Sequence, residues 1–294
     1  MKANPQFRSQ NKAFWACVRS LSQELGYTVK RQNRIKVPTV HDMREGFIKL
    51  ELNPELIGNK NNEPTMLGKE LSEYFSYRAH VLETSVQSQL MNVADAKALF
   101  QKLKKQLDPS CPLPLNKQKG EKKAPAYLTG IVNMLVESYS KMAACDYDPR
   151  KLTTITQNGV PLRTLARRVD GAFPNTVNPI AIWEVKEYYY TTTFGSRIAD
   201  GVYESLLDGM ELEELRSSHK VDVKHYLFVD AKDCWWDDGK PYLCRIVDML
   251  NMGYVDEVLF GREVATELPR IVSEWISLAE GHIKRGDADP PASL

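Results

Sequence analysis

From residue 126 onward, short β-leaning runs alternate with amphipathic stretches, and this alternation constrains the fold more than any other feature. A helical pattern over 126–144 precedes a hairpin signal at Asn158-Gly159 and two strand patterns over 167–173 and 179–193. Helix, strand, helix, strand and helix patterns follow in that order. Strands that alternate with helices predict a sheet covered by helices. The expected fold class is α/β (α+β), with a mixed central β-sheet flanked by helices.

Residues 1–125 differ from the rest in pattern and in charge. Their apolar residues recur at three- and four-residue spacing, which predicts a mostly helical region. They contain 21 Lys and Arg against 12 Asp and Glu, whereas residues 126–294 contain 18 against 26. Four prolines and four lysines fall within 108–125, which is expected to be a linker or a basic loop that touches nucleic acid. We therefore expect a basic, DNA-contacting region over 1–125 and a separate core over 126–294.

Several classes of protein are disfavoured by the composition. No apolar run approaches the roughly 18 residues that a membrane helix needs, and the first residues lack the apolar stretch of a signal peptide. We therefore expect a cytoplasmic protein with no membrane partner. The five cysteines are scattered and include no CxxC pair, which argues against a zinc site and a disulfide framework. Oxygen ligands would then hold any metal ion, as magnesium and manganese prefer.

The apolar run Pro179–Trp183 leads directly into Glu184 and Lys186, and Asp170 lies upstream on the preceding predicted strand. Side chains alternate along a strand, so Glu184 and Lys186 point to the same face. If the two strands pair as an antiparallel hairpin across the turn-rich stretch 174–178, Asp170 comes opposite Glu184.

This arrangement predicts a site for metal-dependent chemistry. Two carboxylates a few Å apart repel each other unless a cation lies between them, which suits magnesium. A bound ion lowers the pKa of a water and polarises a phosphoryl oxygen. Lys186 can orient or deprotonate that water, or stabilise the developing negative charge. The alternative is a salt-bridged strand end without chemistry, in which Glu184 and Lys186 pair with neighbouring groups.

The residues Val169-Asp170-Gly171 and Trp183-Glu184-Val185-Lys186 together resemble the signature of the PD-(D/E)XK nuclease superfamily, which includes most type II restriction endonucleases. Val169 stands where that family has an often degenerate proline. The resemblance covers roughly the second half of the chain. It implies a restriction-endonuclease-like core with the element order αβββαβ, and catalytic roles for Asp170, Glu184 and Lys186.

The resemblance also implies an activity, a cofactor and partners. The protein would be an endonuclease for double-stranded DNA that uses Mg²⁺, with Mn²⁺ as a possible substitute, in a restriction or anti-phage setting. It would act as a homodimer. A further acid of this family often comes from the preceding helix, so the implied metal ligands are Asp170, Glu184 and Glu137. The alternatives are a non-enzymatic nucleic-acid-binding protein, a repair or RNA nuclease of the superfamily, and an enzyme for a small phosphoester.

Five basic residues are candidates for contacts with DNA phosphates. Four of them, Lys30, Arg31, Arg34 and Lys36, lie within seven positions of the basic N-terminal region. The fifth, Arg197, lies at the start of a predicted helix. Lys and Arg side chains displace counterions from the DNA backbone, which favours binding. A solvated basic loop gives the same pattern.

Overall fold

The structure is a computed structural model that describes residues 1–29, 32, 34–116, 124–141, 143–190 and 195–285, with only the backbone for 196, 197 and 282–285. The α-helices are α1 (Pro5–Arg8), α2 (Lys12–Leu25), α3 (Val40–Lys49), α4 (Met66–Val81), α5 (Gln87–Gln89), α6 (Val93–Leu107), α7 (Tyr127–Tyr139), α8 (Ser196–His219), α9 (Lys240–Met252) and α10 (Glu263–Arg285). A 3₁₀ turn (Pro54–Leu56) and two π-helical segments (Leu82–Val86 and Asp233–Asp238) interrupt the connections.

The strands form one five-stranded sheet and two separate hairpins. They are β1 (Thr28–Val29), β2 (Arg34–Ile35), β3 (Asp146–Tyr147), β4 (Thr154–Gln157), β5 (Val160–Thr164), β6 (Gly171–Phe173), β7 (Ala181–Glu187), β8 (Lys224–Asp230) and β9 (Glu257–Phe260). The central sheet has the order β3-β6-β7-β8-β9, in which the first three strands are antiparallel and the last three parallel. The predicted fold class, a mixed sheet flanked by helices with a mostly helical N-terminal region, is confirmed.

Helices cover both faces of the central sheet. One apolar cluster joins α6, α7 and α10 to the face that carries Trp183 and Phe228. A second cluster joins α8 and α9 to the face that carries Leu227 and Val229. In the first cluster the Trp183 indole stacks on that of Trp275 with ring centroids 5.5 Å apart. The sheet is therefore the middle layer of a three-layer core.

The antiparallel edge of the sheet differs from the sequence-based expectation. The predicted Asn158-Gly159 hairpin forms as β4 and β5, with positive φ angles of 53° and 75° at its turn. This hairpin stands apart from the central sheet. The outermost strand is instead β3, which pairs with β6. At two residues, β3 is too short to produce a periodic pattern in the sequence.

The N-terminal helices pack around a core of their own. Asn11 and Thr65 cap the starts of α2 and α4, and Thr39 and Asp42 form a capping box at the start of α3. Aromatic and aliphatic side chains of α1 to α4 fill the space between these helices. This core is joined to the sheet domain through the fully buried Arg78 on α4, which contacts Asp248 on α9 at 3.0 Å.

The Pro-rich stretch 108–125 begins inside the core. Cys111 is buried in the same apolar cluster as α6 and α7. Farther along, the Asn116 amide donates to the Ala124 carbonyl at 2.8 Å, and the Ala126 amide donates to the Pro114 carbonyl at 2.9 Å. The two ends of the stretch are thus held together. Residues 117–123 lie outside the described residues.

In the described part of the chain, no helix combines the length and the apolar character needed to cross a bilayer.

Candidate active site

The register of β6 and β7 places Asp170 directly beside Glu184. Gly171 pairs with Trp183, so Asp170 lies opposite Glu184 at the position where β6 begins. The Asp170 amide donates to Oε1 of Glu184 at 3.2 Å, and the Val185 amide donates to Oδ2 of Asp170 at 2.8 Å. The Asp170 carboxylate therefore accepts the hydrogen bond of the Val185 amide in place of a backbone carbonyl, just beyond the paired residues of β6 and β7.

Glu184 and Lys186 lie on the same face of β7 and contact each other. Nζ of Lys186 donates to Oε2 of Glu184 at 2.7 Å, and Glu184 is completely buried. The stem of Lys186 lies against Gly201 of α8, where an added Cβ would be 3.3 Å from Cδ of Lys186. Helix α8 thus approaches β7 closely and encloses both side chains. The structure brings together the three predicted catalytic residues.

Three further charged residues complete this group. Arg167 precedes β6 in the chain. Nη1 of its guanidinium lies 2.8 Å from Oε1 of Glu184 and 2.7 Å from Oδ2 of Asp208. Glu204 lies 3.4 Å from Arg167 and 3.3 Å from Lys186. We refer to Arg167, Asp170, Glu184, Lys186, Glu204 and Asp208 as the charged cluster.

Asp208 is not among the predicted site residues, but the sequence carries one signal for it. The side of α8 that faces the core is buried at a run of positions with helical spacing, namely Ile198, Val202, Ser205, Asp208, Leu212 and Leu215. Asp208 is the single charged residue in that run. An acidic side chain at a core-facing position of a helix needs a buried partner, and Arg167 supplies it. Arg167 and Glu204 carry no comparable signal, because both lie at partly exposed positions.

The charged cluster carries more negative than positive charge. Its four carboxylates and two cations have a formal balance of −2 when all are ionised. Burial, followed by repulsion from Glu184, raises the pKa of Asp170 to about 6 and that of Asp208 to about 7. Oδ1 of Asp208 is buried and finds no hydrogen-bond donor among the described residues. The cluster therefore has capacity for additional positive charge.

Glu184 and Lys186 remain ionised despite their burial. Burial acts to raise the pKa of Glu184, but the Lys186 and Arg167 cations outweigh it and hold that pKa below its usual value. Burial acts to lower the pKa of Lys186, but attraction to Glu184 and Asp170 outweighs it and raises that pKa. Lys186 is thus an ammonium group at neutral pH.

A cavity of about 1010 Å³ adjoins Asp170 on the α7 side of the sheet. Asp146 and Asp148 of the β3 region, Arg150 and Lys151 line one part of it. Glu187 lines another part and accepts hydrogen bonds from the first turn of α7, at the Leu128 amide and the Thr129 hydroxyl. The lining includes Asp170 but neither Glu184 nor Lys186. Asp170 is therefore the residue of the predicted triad that faces this open space.

Glu137 lies apart from the charged cluster. Its carboxylate accepts hydrogen bonds from the amide and the hydroxyl of Ser110, the amide at 3.0 Å. Partial burial acts to raise the pKa of Glu137, but these hydrogen bonds outweigh it and lower that pKa. Across the ranges that the structure describes, no three acidic, histidine or cysteine side chains are grouped as they would be around a bound metal ion.

The predicted DNA contacts are scattered in the structure. Arg34 is exposed on β2, and Lys36 follows it with its Nζ donating to the Leu25 carbonyl at 3.0 Å. Lys30 and Arg31 lie outside the described residues, as does the side chain of Arg197.

The tryptophans of the segment Asp233–Asp238 are buried, and Nε1 of Trp235 donates to the Lys186 carbonyl at 3.2 Å. These rings therefore support β7.

Two family models match the chain, one on each side of residues 86–90. A family model for a domain of unknown function (DUF7690) matches residues 1–85. No curated protein and no solved structure matches the chain. Helix α6, which packs on α7, falls on the C-terminal side of this division. A second family model, for a domain of unknown function (DUF7687), matches residues 91–275, more than half of the chain, and the protein belongs to that family.

Proposed function

We propose that the protein is a Mg²⁺-dependent endonuclease that hydrolyses phosphodiester bonds in double-stranded DNA, with Asp170, Glu184 and Lys186 as its catalytic residues. The observation that carries the proposal is the grouping of these residues where β6 begins beside β7. The Asp170 amide and the Lys186 ammonium both donate to the Glu184 carboxylate, and the Asp170 carboxylate accepts from the neighbouring Val185 amide. A carboxylate pair with an adjacent ammonium group can support metal-dependent phosphodiester hydrolysis.

The topology around these residues supports the proposal. Helix α7 is followed by three antiparallel strands of the central sheet, then by α8 and the parallel strand β8. This is the order αβββαβ that the resemblance to PD-(D/E)XK nucleases implies, with β4 and β5 as an added hairpin. Asp170 comes at the start of the second strand and Glu184 lies within the third.

The residues present fit a divalent cation in chemistry and in charge. The donors are carboxylate oxygens, which magnesium prefers, and the formal excess of two negative charges equals the charge of one such ion. Asp170 and Glu184 would hold Mg²⁺, or Mn²⁺ in its place. A magnesium ion supplies, when bound, a water of lowered pKa and a Lewis acid for a phosphoryl oxygen.

Lys186 has one role that its environment favours. Its raised pKa keeps it protonated, so it stabilises negative charge that develops at the phosphate and does not serve as the base. Its hydrogen bond to Glu184 and the close approach of Gly201 fix the position of Nζ. The open cavity beside Asp170 is the approach that we assign to the substrate.

Further parts of the proposal come from the sequence. The charge of the N-terminal region suggests DNA binding by Arg34, Lys36 and the other basic residues there, and the composition suggests a cytoplasmic location. A homodimer and a restriction or anti-phage role rest on the resemblance. A repair or RNA nuclease, or an enzyme for a small phosphoester, would use the same three residues.

Plasmid cleavage tests the activity. Supercoiled DNA is incubated with the wild type in Mg²⁺, in Mn²⁺ and in EDTA, beside Asp170→Asn, Glu184→Gln and Lys186→Met. Asp170→Asn keeps an oxygen for the Val185 amide, so a loss of activity reports on the charge. We expect losses of roughly 100-fold or more in each variant, no activity in EDTA, and wild-type activity in the exposed control Glu213→Gln. Cleavage that persists in Asp170→Asn and Glu184→Gln would contradict the proposal.

A specific observation favours a second candidate, a non-enzymatic nucleic-acid-binding protein. Both oxygens of the fully buried Glu184 are already paired, Oε1 with Arg167 and Oε2 with Lys186. Such a pair can be structural. A wild type that binds duplex DNA but cleaves neither DNA nor RNA with Mg²⁺ or Mn²⁺ would establish this alternative.

A further inference from the structure

Arg167 occupies the oxygen of Glu184 that a shared metal ion would need. Oε1 of Glu184 accepts from the Asp170 amide at 3.2 Å, so it is the oxygen on the Asp170 side. Nη1 of Arg167 lies 2.8 Å from the same atom. A carboxylate oxygen has two lone pairs, and these two donors use both of them. The Asp170 amide is also held by the Trp183 carbonyl at 3.1 Å, so Arg167 is the donor that can move. An ion that takes up Oε1 would therefore have to displace the Arg167 side chain.

The guanidinium has a second set of anionic partners within reach. Nη1 of Arg167 lies 2.7 Å from Oδ2 of Asp208, and its Nη2 lies 3.4 Å from Oε2 of Glu204. Asp208 is fully buried, and its other oxygen has no donor in the described part of the chain. Asp208 can thus accept a second hydrogen bond from Arg167 after the contact with Glu184 is broken.

We propose that Arg167 is a positioning residue that competes with the divalent cation for Glu184. Without the ion, Arg167 holds Glu184 in its buried position. With the ion on Asp170 and Glu184, the guanidinium stays on Asp208 and Glu204. The inference rests on the ion site of the proposed function, and it adds a cation of the protein itself that the ion must replace.

Two substitutions at this contact should change ion affinity in opposite directions. Arg167→Gln removes the competitor, so Mn²⁺ should bind roughly tenfold more tightly than to the wild type. Asp208→Asn removes the negative charge that would hold Arg167 away from Glu184 in the ion-bound state. Mn²⁺ should therefore bind several-fold more weakly to this variant. General damage to the fold would weaken binding in both variants. Arg167→Lys keeps a cation there and should restore an affinity close to that of the wild type.

The experiment measures Mn²⁺ binding to the full chain. Electron paramagnetic resonance detects the free ion, and calorimetry gives an independent affinity. Glu184→Gln serves as the variant that loses the site, and circular dichroism verifies folding. Arg167→Gln that binds Mn²⁺ no more tightly than the wild type would overturn the competition. Tighter binding to Asp208→Asn would do so as well. Should Arg167→Gln fail to fold, Asp208→Asn still decides: weaker Mn²⁺ binding by the folded variant supports the competition, and unchanged or tighter binding overturns it.

The outcomes separate this inference from the proposed function. Unchanged affinity in Arg167→Gln, with binding lost in Glu184→Gln, would reject the competition and leave the nuclease proposal intact. Tighter binding in Arg167→Gln, without cleavage of any nucleic acid by the wild type, would support the competition and reject the nuclease. Absence of Mn²⁺ binding from the wild type and from Arg167→Gln would reject both.

Discussion

Gly171 lies directly opposite Trp183 in the central sheet, and the Trp183 indole occupies the space that a side chain at position 171 would need. A Cβ atom there would lie 2.1 Å from the indole ring. We expect Gly171→Ala to lower the free energy of unfolding by about 1–3 kcal/mol or more, because the indole is fixed by its stacking on Trp275.

Urea unfolding measures this effect. Gly281→Ala on α10 is the matched control, since nothing lies within 4 Å of its added Cβ. That substitution should be neutral or stabilising by about 0.5–1 kcal/mol. Equal stability of Gly171→Ala and the wild type would contradict the observed packing.

The buried pair Arg78 and Asp248 couples the N-terminal helices to α9. Among the described residues, removing only the cation leaves Asp248 with the Tyr74 hydroxyl as its side-chain partner, so Arg78→Met should cost about 3–5 kcal/mol of stability. Chemical denaturation of Arg78→Met, Asp248→Leu and the double variant measures the coupling. The double variant should lose less stability than the sum of the single losses, and strict additivity would show that the pair is not coupled.

Asp230, at the end of β8, should make stability depend on pH. It accepts hydrogen bonds from the Met91 and Ala231 amides, and burial raises its pKa to about 7, against about 4 in an unfolded chain. The folded state therefore holds an extra proton between about pH 4 and pH 7. The contribution of Asp230 to the free energy of unfolding is fully present below about pH 4, and it is lost as the pH rises through about 7.

Asp230→Asn should make this pH dependence shallower. The amide retains an oxygen for the two backbone donors and does not titrate. The slope of the unfolding free energy across that window should change by up to about 1.4 kcal/mol per pH unit. Denaturation at several pH values measures it, with the exposed Glu280→Gln as control. An unaltered slope in Asp230→Asn would mean that this carboxylate titrates alike in both states.

Magnesium should stabilise the folded protein through Asp170. An ion at about 100 times its dissociation constant adds about 2.7 kcal/mol to the free energy of unfolding when it binds the folded state alone. The rise in melting temperature should be absent in Asp170→Asn and present in the exposed control Asp238→Asn. A rise of the same size in Asp170→Asn would place the ion elsewhere.

Arg34 should contribute to DNA affinity without regard to sequence. Because a phosphate contact releases a counterion, Arg34→Ala should weaken binding to any duplex and reduce the slope of log affinity against log salt concentration by about one. Fluorescence anisotropy across a salt series measures both. Lys220→Ala, at the exposed residue that ends α8, should change neither. A loss confined to one DNA sequence would show that Arg34 reads bases.

The sequence was most informative where the controlling interactions are local. The period of two along β7 places Glu184 and Lys186 side by side, and a short turn-rich connection brings Asp170 opposite Glu184. Both relationships follow from backbone geometry alone. The burial of Glu184 by Arg167 and Asp208 could not be predicted, because it depends on how α8 packs on the sheet.

Short or irregular elements could not be predicted from the sequence either. The outermost strand β3 has two residues, which are too few to give a periodic pattern in the sequence. The helical periodicity of the N-terminal region likewise does not reveal that the chain leaves the helix at Leu90 and restarts where Asn92 caps α6. The role of Glu137 as a metal ligand was a prediction from the resemblance, and its contact with Ser110 depends on a loop that no periodicity describes.

The spacing of the site residues along the chain has a consequence for folding. The Asp170 and Glu184 contact spans 14 residues, whereas the Arg78 and Asp248 pair spans 170. Closing a loop costs more entropy as its length grows. On a ribosome, the hairpin with the two carboxylates is complete once Lys186 has emerged, while Arg78 still awaits its partner. The carboxylates can therefore meet before the N-terminal helices dock.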